Sequence, residues 1–276
     1  MPGCPLLTAE NCLYEEFYGL RERPFSRTPD PRFLYRSRKH AEALARLQLA
    51  VEDQDVILLT GDIGCGKTTL SRALIDSLDA RYHPVLIINP RLSPSQLLGL
   101  VALRLGLDDE TRSKHGLLEA INAKLYELFT AGKRTTLIID EAQLIPDKAA
   151  FEELRLLTNF QLDDRNLLSL VLLGQPELRE RLSRKPYRAL RQRVGLTFHL
   201  GPLDEQETRE YVAHRLRVAG REAMLFDDGA LSALYRHSDG IPRRINILAN
   251  NALIDGFGKD AEIITEEIVE DVVSDG

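Results

Sequence analysis

The sequence predicts an α/β protein with a parallel sheet covered by helices on both faces, followed by a small all-helical domain. Three observations predict it. Apolar runs too continuous for one-sided strands recur up to Leu200, which is how strands buried on both faces read. Helical patterns such as HGLLEAINAKLYELF and KAAFEELRLLTNF lie between them, the alternation of a parallel sheet with crossover helices. Beyond Pro202 the character changes to helices alone.

The elements follow in order. YEEFYGLRERPFSRTPDPRFLY carries six aromatics (Tyr14, Phe17, Tyr18, Phe25, Phe33, Tyr35) among Pro24, Pro29 and Pro31. Prolines lack a backbone donor and restrict the residue before them, so this segment is expected to be an extended arm. From Arg38 to Val51 the apolar positions Ala41, Leu44, Leu47 and Val51 recur at helical spacing. The strands are Val56 to Leu59, VLIIN (85 to 89), TTLIID (135 to 140), LLSLVLLG (167 to 174) and the weaker LTFHL (196 to 200). In the second domain Asp204 with Glu207 makes a capping box and Gly220 a helix stop. Further helices run from Asp228 to His237, from near Pro242, and from near Thr265 as a cap. No internal repeat or low-complexity tract interrupts them.

Composition narrows the function classes. The chain has 276 residues, 43% hydrophobic and 28% charged, a soluble globular mix that excludes disorder over most of its length. No apolar run approaches the roughly 20 residues of a membrane span, and MPGCPLLTAENC lacks the basic flank and apolar stretch of a signal peptide. A cytosolic location is expected. Cys4, Cys12 and Cys65 are odd in number and without metal or redox spacing, so they read as reduced thiols. The formal charge of −6 gives no global attraction to nucleic acid or an anionic membrane.

Four stretches carry chemistry. In VILLTGDIGCGKTTL, residues Gly61, Gly64, Gly66, Lys67 and Thr68 fit G-x-x-x-x-G-K-[ST] between a strand and a helix expected from Leu70 to Leu78. Glycines are needed because a loop wrapping phosphate must aim successive backbone N–H groups inward. The whole loop, Gly61, Asp62, Ile63, Gly64, Cys65, Gly66, Lys67, Thr68 and Thr69, is the candidate ATP cradle. Lys67 is suited to the β- and γ-phosphates and Thr68 to Mg2+. In TTLIIDEAQ, Asp140 ends a central strand beside that loop, where it can hold Mg2+, and Glu141 can polarise an attacking water. A strand-end turn with a helix cap is the plainer explanation for these two acids taken alone. Third, Gln175 follows the next strand, placed to sense the γ-phosphate. From Glu177 to Arg193 six arginines and one lysine face two glutamates, a local charge of 7 − 2 = +5. A solvated helix face explains most of these cations. Fourth, GIPRRINILANNAL places Arg243 and Arg244 in the first turn of a helix, unfavourable for the helix dipole unless an anion or a salt bridge is nearby.

The ordered set GDIGCGKT, LIIDEAQ, LLGQPEL, LRQRV and GIPRRIN resembles the AAA+ ATPases. More narrowly it is similar to the ExeA/GspA-type general secretion ATPases, whose N-terminal signature resembles FYGLRERPFSRTPDPRFLY. The resemblance runs from about Tyr14 to Val273. It implies an AAA+ P-loop αβα sandwich with a parallel sheet, followed by a small helical lid domain. The implied division is an arm at 1–37 contributing to the nucleotide site, an ATPase core at 38–202 and a lid at 203–276. It implies Mg2+-dependent ATP hydrolysis, stimulated by ring or filament assembly, that powers or switches assembly of a cell-envelope secretion or pilus machine at the inner face of the inner membrane. By position, Lys67 and Thr68 are the phosphate-loop residues, Asp140 and Glu141 the metal and water residues, Gln175 the first sensor and Arg243 the lid sensor. Arg193 matches an arginine finger acting in trans, with Arg191 the fallback. Gln175 departs from the Asn, Ser or Thr that many AAA+ proteins carry there. The transposition-regulator ATPases, which bind DNA, share much of this core and form the alternative.

Overall fold

The computed structural model describes residues 13–26, 30–107, 113–162 and 165–275; Cys4, Cys12 and Pro29 lie outside them. The order is α1 (Leu13–Phe17), α2 (Arg38–Glu52), β1 (Val56–Gly61), α3 (Lys67–Ser77), β2 (Tyr82–Ile88), α4 (Pro94–Arg104), α5 (Lys114–Thr130), β3 (Arg134–Asp140), α6 (Lys148–Leu157), β4 (Gln161–Leu162), β5 (Arg165–Asn166), β6 (Leu168–Gly174), α7 (Pro176–Ser183), α8 (Arg188–Arg191) and β7 (Val194–Leu200). Then come α9 (Glu205–Val218), α10 (Asp228–Ser238), α11 (Pro242–Gly258) and α12 (Glu266–Ser274). The chain forms two compact units. One, the core unit, holds Arg38–Ile63 and Lys67–Gly201; the other, the helical unit, holds the arm to Ser37, the three residues Gly64–Gly66 and Pro202–Gly276.

In the core unit five strands lie in the order β2-β3-β6-β1-β7, all parallel. Every residue of β1 and β6 is buried, and all of β3 except its first, which is why these runs are continuously apolar. β2 and β7 are the edges and are only partly buried, so β7 reads weakly in sequence. Ile57, Leu58 and Leu59 are fully enclosed, each contributing about 1.5–3 kcal/mol by burial. Register pairs Leu59 with Leu173 and Leu172 with Ile139. Because the strands are parallel, β1, β3 and β6 end along one edge, where open α/β sheets place their ligands.

In the helical unit the arm's Tyr14, Tyr18, Phe25 and Phe33 are buried with Val212, Leu216, Leu234 and Leu253. Arg215 of α9 fastens it. Its guanidinium donates to the carbonyls of Pro24 and Ser26 and to the Tyr211 hydroxyl and lies 4.6 Å from the Phe33 ring centre. Asp204 and Glu207 form both bonds of a capping box at the start of α9, and Gly220, at φ +94°, ends that helix in the left-handed region glycine favours. Thr265 holds the N-cap position of α12.

Several expectations need correction. The arm is not extended throughout: it contains α1 and a 3-10 turn at Pro31–Phe33, because Pro31 can open a helical turn where its missing N–H costs nothing. The helix after the glycine loop starts at Lys67, not Leu70. The antiparallel pair β4–β5 has no sequence signal, since two-residue strands carry no periodicity. Among the described residues no helix is long and apolar enough to cross a membrane.

Candidate active site

The loop after β1 is shaped by its glycines. A Cβ on Gly61 would stand 2.5 Å from the Leu200 carbonyl oxygen, so the strand's last residue must be glycine for β7 to approach. Gly64 and Gly66 have φ of +88° and +95°, conformations that L side chains rarely adopt. Cys65 between them is buried. Lys67, first residue of α3 and only 5% exposed, donates to the carbonyls of Gly61 at 2.8 Å and Asp62 at 2.9 Å. Its ammonium therefore arches over the start of the loop.

Asp140, the last residue of β3, is 1% exposed. It accepts from Thr68 Oγ1 at 2.7 Å and from the Glu141 backbone N–H at 2.9 Å. Burial pushes its carboxyl above the usual range, only partly offset by these two hydrogen bonds and by the Lys67 charge, while the Glu141 charge adds to the rise. A carboxylate and a hydroxyl beside it are hard oxygen donors that suit Mg2+. Among the described residues no three His, Cys, Asp or Glu side chains cluster as a metal site. An ion held here would take its remaining ligands from phosphate and water, as Mg2+ commonly does.

Glu141 turns the chain out of the sheet with φ +54°, a conformation costing a non-glycine residue about 1–3 kcal/mol. Its carboxylate accepts a short hydrogen bond from Gln143 Nε2 and a long one, 3.4 Å, from Gln175 Nε2. The Gln175 backbone N–H in turn donates to Gln143 Oε1 at 3.1 Å. Thus Glu141 and Gln175, separate in sequence, are brought together, and Gln143 joins them. Sequence reading overlooked Gln143; its one signal was its place two residues after Glu141 in IIDEAQ.

The arginines divide by role. Arg193 donates through Nη1 to the Thr158 carbonyl at 2.8 Å, capping α6. Arg191 is exposed and, among the described residues, makes no side-chain bond. Arg181 is structural: it bonds the carbonyls of Ile145 and Pro146 and the Tyr187 hydroxyl and stacks on Phe151 and Tyr187. Arg179, Arg184, Lys185 and Arg188 are exposed and form no ion pair among the described residues. In the helical unit Arg244 pairs with Asp239 at 2.6 Å, so the salt bridge accounts for one of the two arginines. Arg243 is exposed with no such pair among the described residues, and its backbone N–H donates to Gly64 O at 3.3 Å.

Known proteins resemble this chain in sequence and in fold. The family profile described as the AAA domain matches residues 50–182. General secretion pathway protein A of Aeromonas hydrophila is 41% identical over 255 residues, 91% of this chain and 46% of that protein. The chain belongs to the ExeA/GspA-type AAA+ ATPases. It spans about half the length of that relative. The fold of this AAA+ chain recurs in solved structures. The Aeropyrum pernix ORC2 protein, in ADPNP-ADP complexes, matches with TM-score 0.70 at 19% identity, covering 91% of this chain and 71% of that one. Drosophila ORC bound to DNA matches with TM-score 0.67 at 22% identity, covering 98% and 68%. The Thermotoga maritima RuvB Holliday junction branch migration motor matches with TM-score 0.55 at 23% identity, covering 86% and 66%. At these identities the likeness is one of fold.

Proposed function

We propose that this AAA+ chain binds ATP with Mg2+ and hydrolyses it to ADP and phosphate. The observation that carries the reading is the convergence of Lys67, the Thr68–Asp140 pair and Glu141 at the ends of β1 and β3, with Gln175 at the end of β6. The loop's N–H groups and the positive end of α3 bind phosphate oxygens. Lys67 exchanges its two carbonyl acceptors for the β- and γ-phosphates. Thr68 and Asp140 hold Mg2+, which when bound neutralises charge developing on the phosphates. Glu141 orients a water and draws its proton, and Gln175 contacts the γ-phosphate. Arg243 keeps the lid-sensor role that the resemblance assigns it. An arginine of the Arg191–Arg193 stretch completes the site of a neighbouring copy, so turnover rises on assembly.

The proposed work of this cycle is to power or switch assembly of a cell-envelope secretion or pilus-type machine at the cytoplasmic face of the inner membrane. Support comes from the 41% identity to a protein named for general secretion. The test is phosphate release with ATP and Mg2+, comparing wild type with Glu141→Gln. Glu141→Gln should bind ATP and turn it over far more slowly, having lost the base that orients water. Equal turnover would move that role to another residue, and a wild-type protein without turnover even when assembled would sink the hydrolysis reading.

A further inference from the structure

We infer that Gln143 is the positioning residue that holds the Glu141 carboxylate and ties it to the end of β6. The inference rests on the hydrolysis reading, in which Glu141 orients water. Gln175 N–H is a donor only, so it fixes which end of the Gln143 amide faces β6: the oxygen. The NH2 end must then face Glu141, as it does. The planar amide leaves no other arrangement that satisfies both neighbours.

Both ends are anchored in backbone. Glu141 and Gln143 share one tight turn, with Leu144 N–H donating to Glu141 O at 2.8 Å and Ile145 N–H to Ala142 O at 3.2 Å. At the other end the close approach is permitted by Gly174, where a Cβ would stand 2.9 Å from Gln143 Oε1 and 2.6 Å from Leu178 Cδ2. The side chain of Gln175 is the weaker of the two donors on Glu141, at 3.4 Å. It can therefore turn to a phosphate oxygen without releasing Glu141, because Gln143 remains. A shift of the Gln175 backbone is passed through one side-chain amide to the residue that aims the water.

Two substitutions test this. Gln143→Met keeps length and packing but removes donor and acceptor. Gln143→Glu keeps an acceptor for Gln175 N–H and sets a like charge against Glu141. Both should bind ATP with wild-type Kd and lose turnover by about ten- to a hundredfold, the size of one hydrogen bond to a charged group. A second readout needs no activity: the backbone amide resonance of Gln175 should move in Gln143→Met and stay near its wild-type position in Gln143→Glu. Turnover within twofold of wild type in both variants, or a loss of affinity as large as the loss of turnover, would overturn the positioning role. An unmoved Gln175 resonance in Gln143→Met would overturn the link itself. Wild type without turnover would remove the hydrolysis reading and the positioning role with it, while the resonance still decides the link. Should Gln143→Met fail to fold, Gln143→Glu carries the turnover reading, and its Gln175 resonance must then stay at the wild-type position.

Discussion

Thr68 Oγ1 donates to Asp140 Oδ2 across 2.7 Å, joining the first turn of α3 to the end of β3. The acceptor is buried and its carboxyl is raised by that burial, so in metal-free protein the ionised form is held at a cost. With a raised folded value, the stability Asp140 contributes is present at acid pH and lost as pH rises through the folded value. Asp140→Asn should accordingly raise Tm at neutral pH in EDTA, with the gain shrinking toward acid pH. Hydrolysis should disappear together with the Mg2+-dependent part of nucleotide stabilisation. A Tm that falls at neutral pH would refute the burial argument.

Lys67 lies against two carbonyls, and its charge is the one fixed cation of the glycine loop. Lys67→Ala should abolish ATP binding, because the charge suited to the β- and γ-phosphates is lost. A fluorescence titration checks it. Unchanged affinity would remove the phosphate assignment of the loop.

The two finger candidates make different predictions because they are held differently. Arg193 caps the Thr158 carbonyl, so Arg193→Ala should cost about 1 kcal/mol of stability whatever its catalytic part. Arg191→Ala should leave Tm unchanged. The finger variant loses turnover on the order of 10³-fold with nucleotide affinity kept. Mixed with Lys67→Ala subunits it regains part of the activity, at interfaces where an intact finger meets an intact site. No recovery by either variant in confirmed mixed assemblies would count against a finger in trans.

The partner readings separate on salt. A solvated helix face explains most of the basic segment, and Arg179, Arg184, Lys185, Arg188 and Arg191 are exposed without an ion pair among the described residues. Against a formal charge of −6 they support a few phosphate contacts, whose affinity falls steeply with salt. Duplex DNA should therefore bind weakly at physiological salt, with ATP or ADP, in an anisotropy titration at two salt concentrations. Tight ATP-dependent binding that survives the higher salt would favour the transposition-type alternative over the secretion reading.

What the sequence by itself determined is what local chemistry imposes. β1, β3 and β6 were legible because burial on both faces demands unbroken apolar runs. The glycine loop was legible because positive φ and close backbone approach demand glycine at Gly61, Gly64 and Gly66. The helix starts at Asp204 and Pro242 were legible because capping is a matter of a few adjacent residues. The tertiary structure alone decided strand order, and with it which strand ends meet. That order sets Gln175 beside Glu141 and makes Gln143 the link between them, although Gln143 has no pattern of its own. It also decided which arginines are occupied: Arg181 and Arg193 by carbonyls, Arg244 by Asp239. A side chain's hydrogen-bond partners depend on distances between segments far apart in the chain, and no local pattern encodes those.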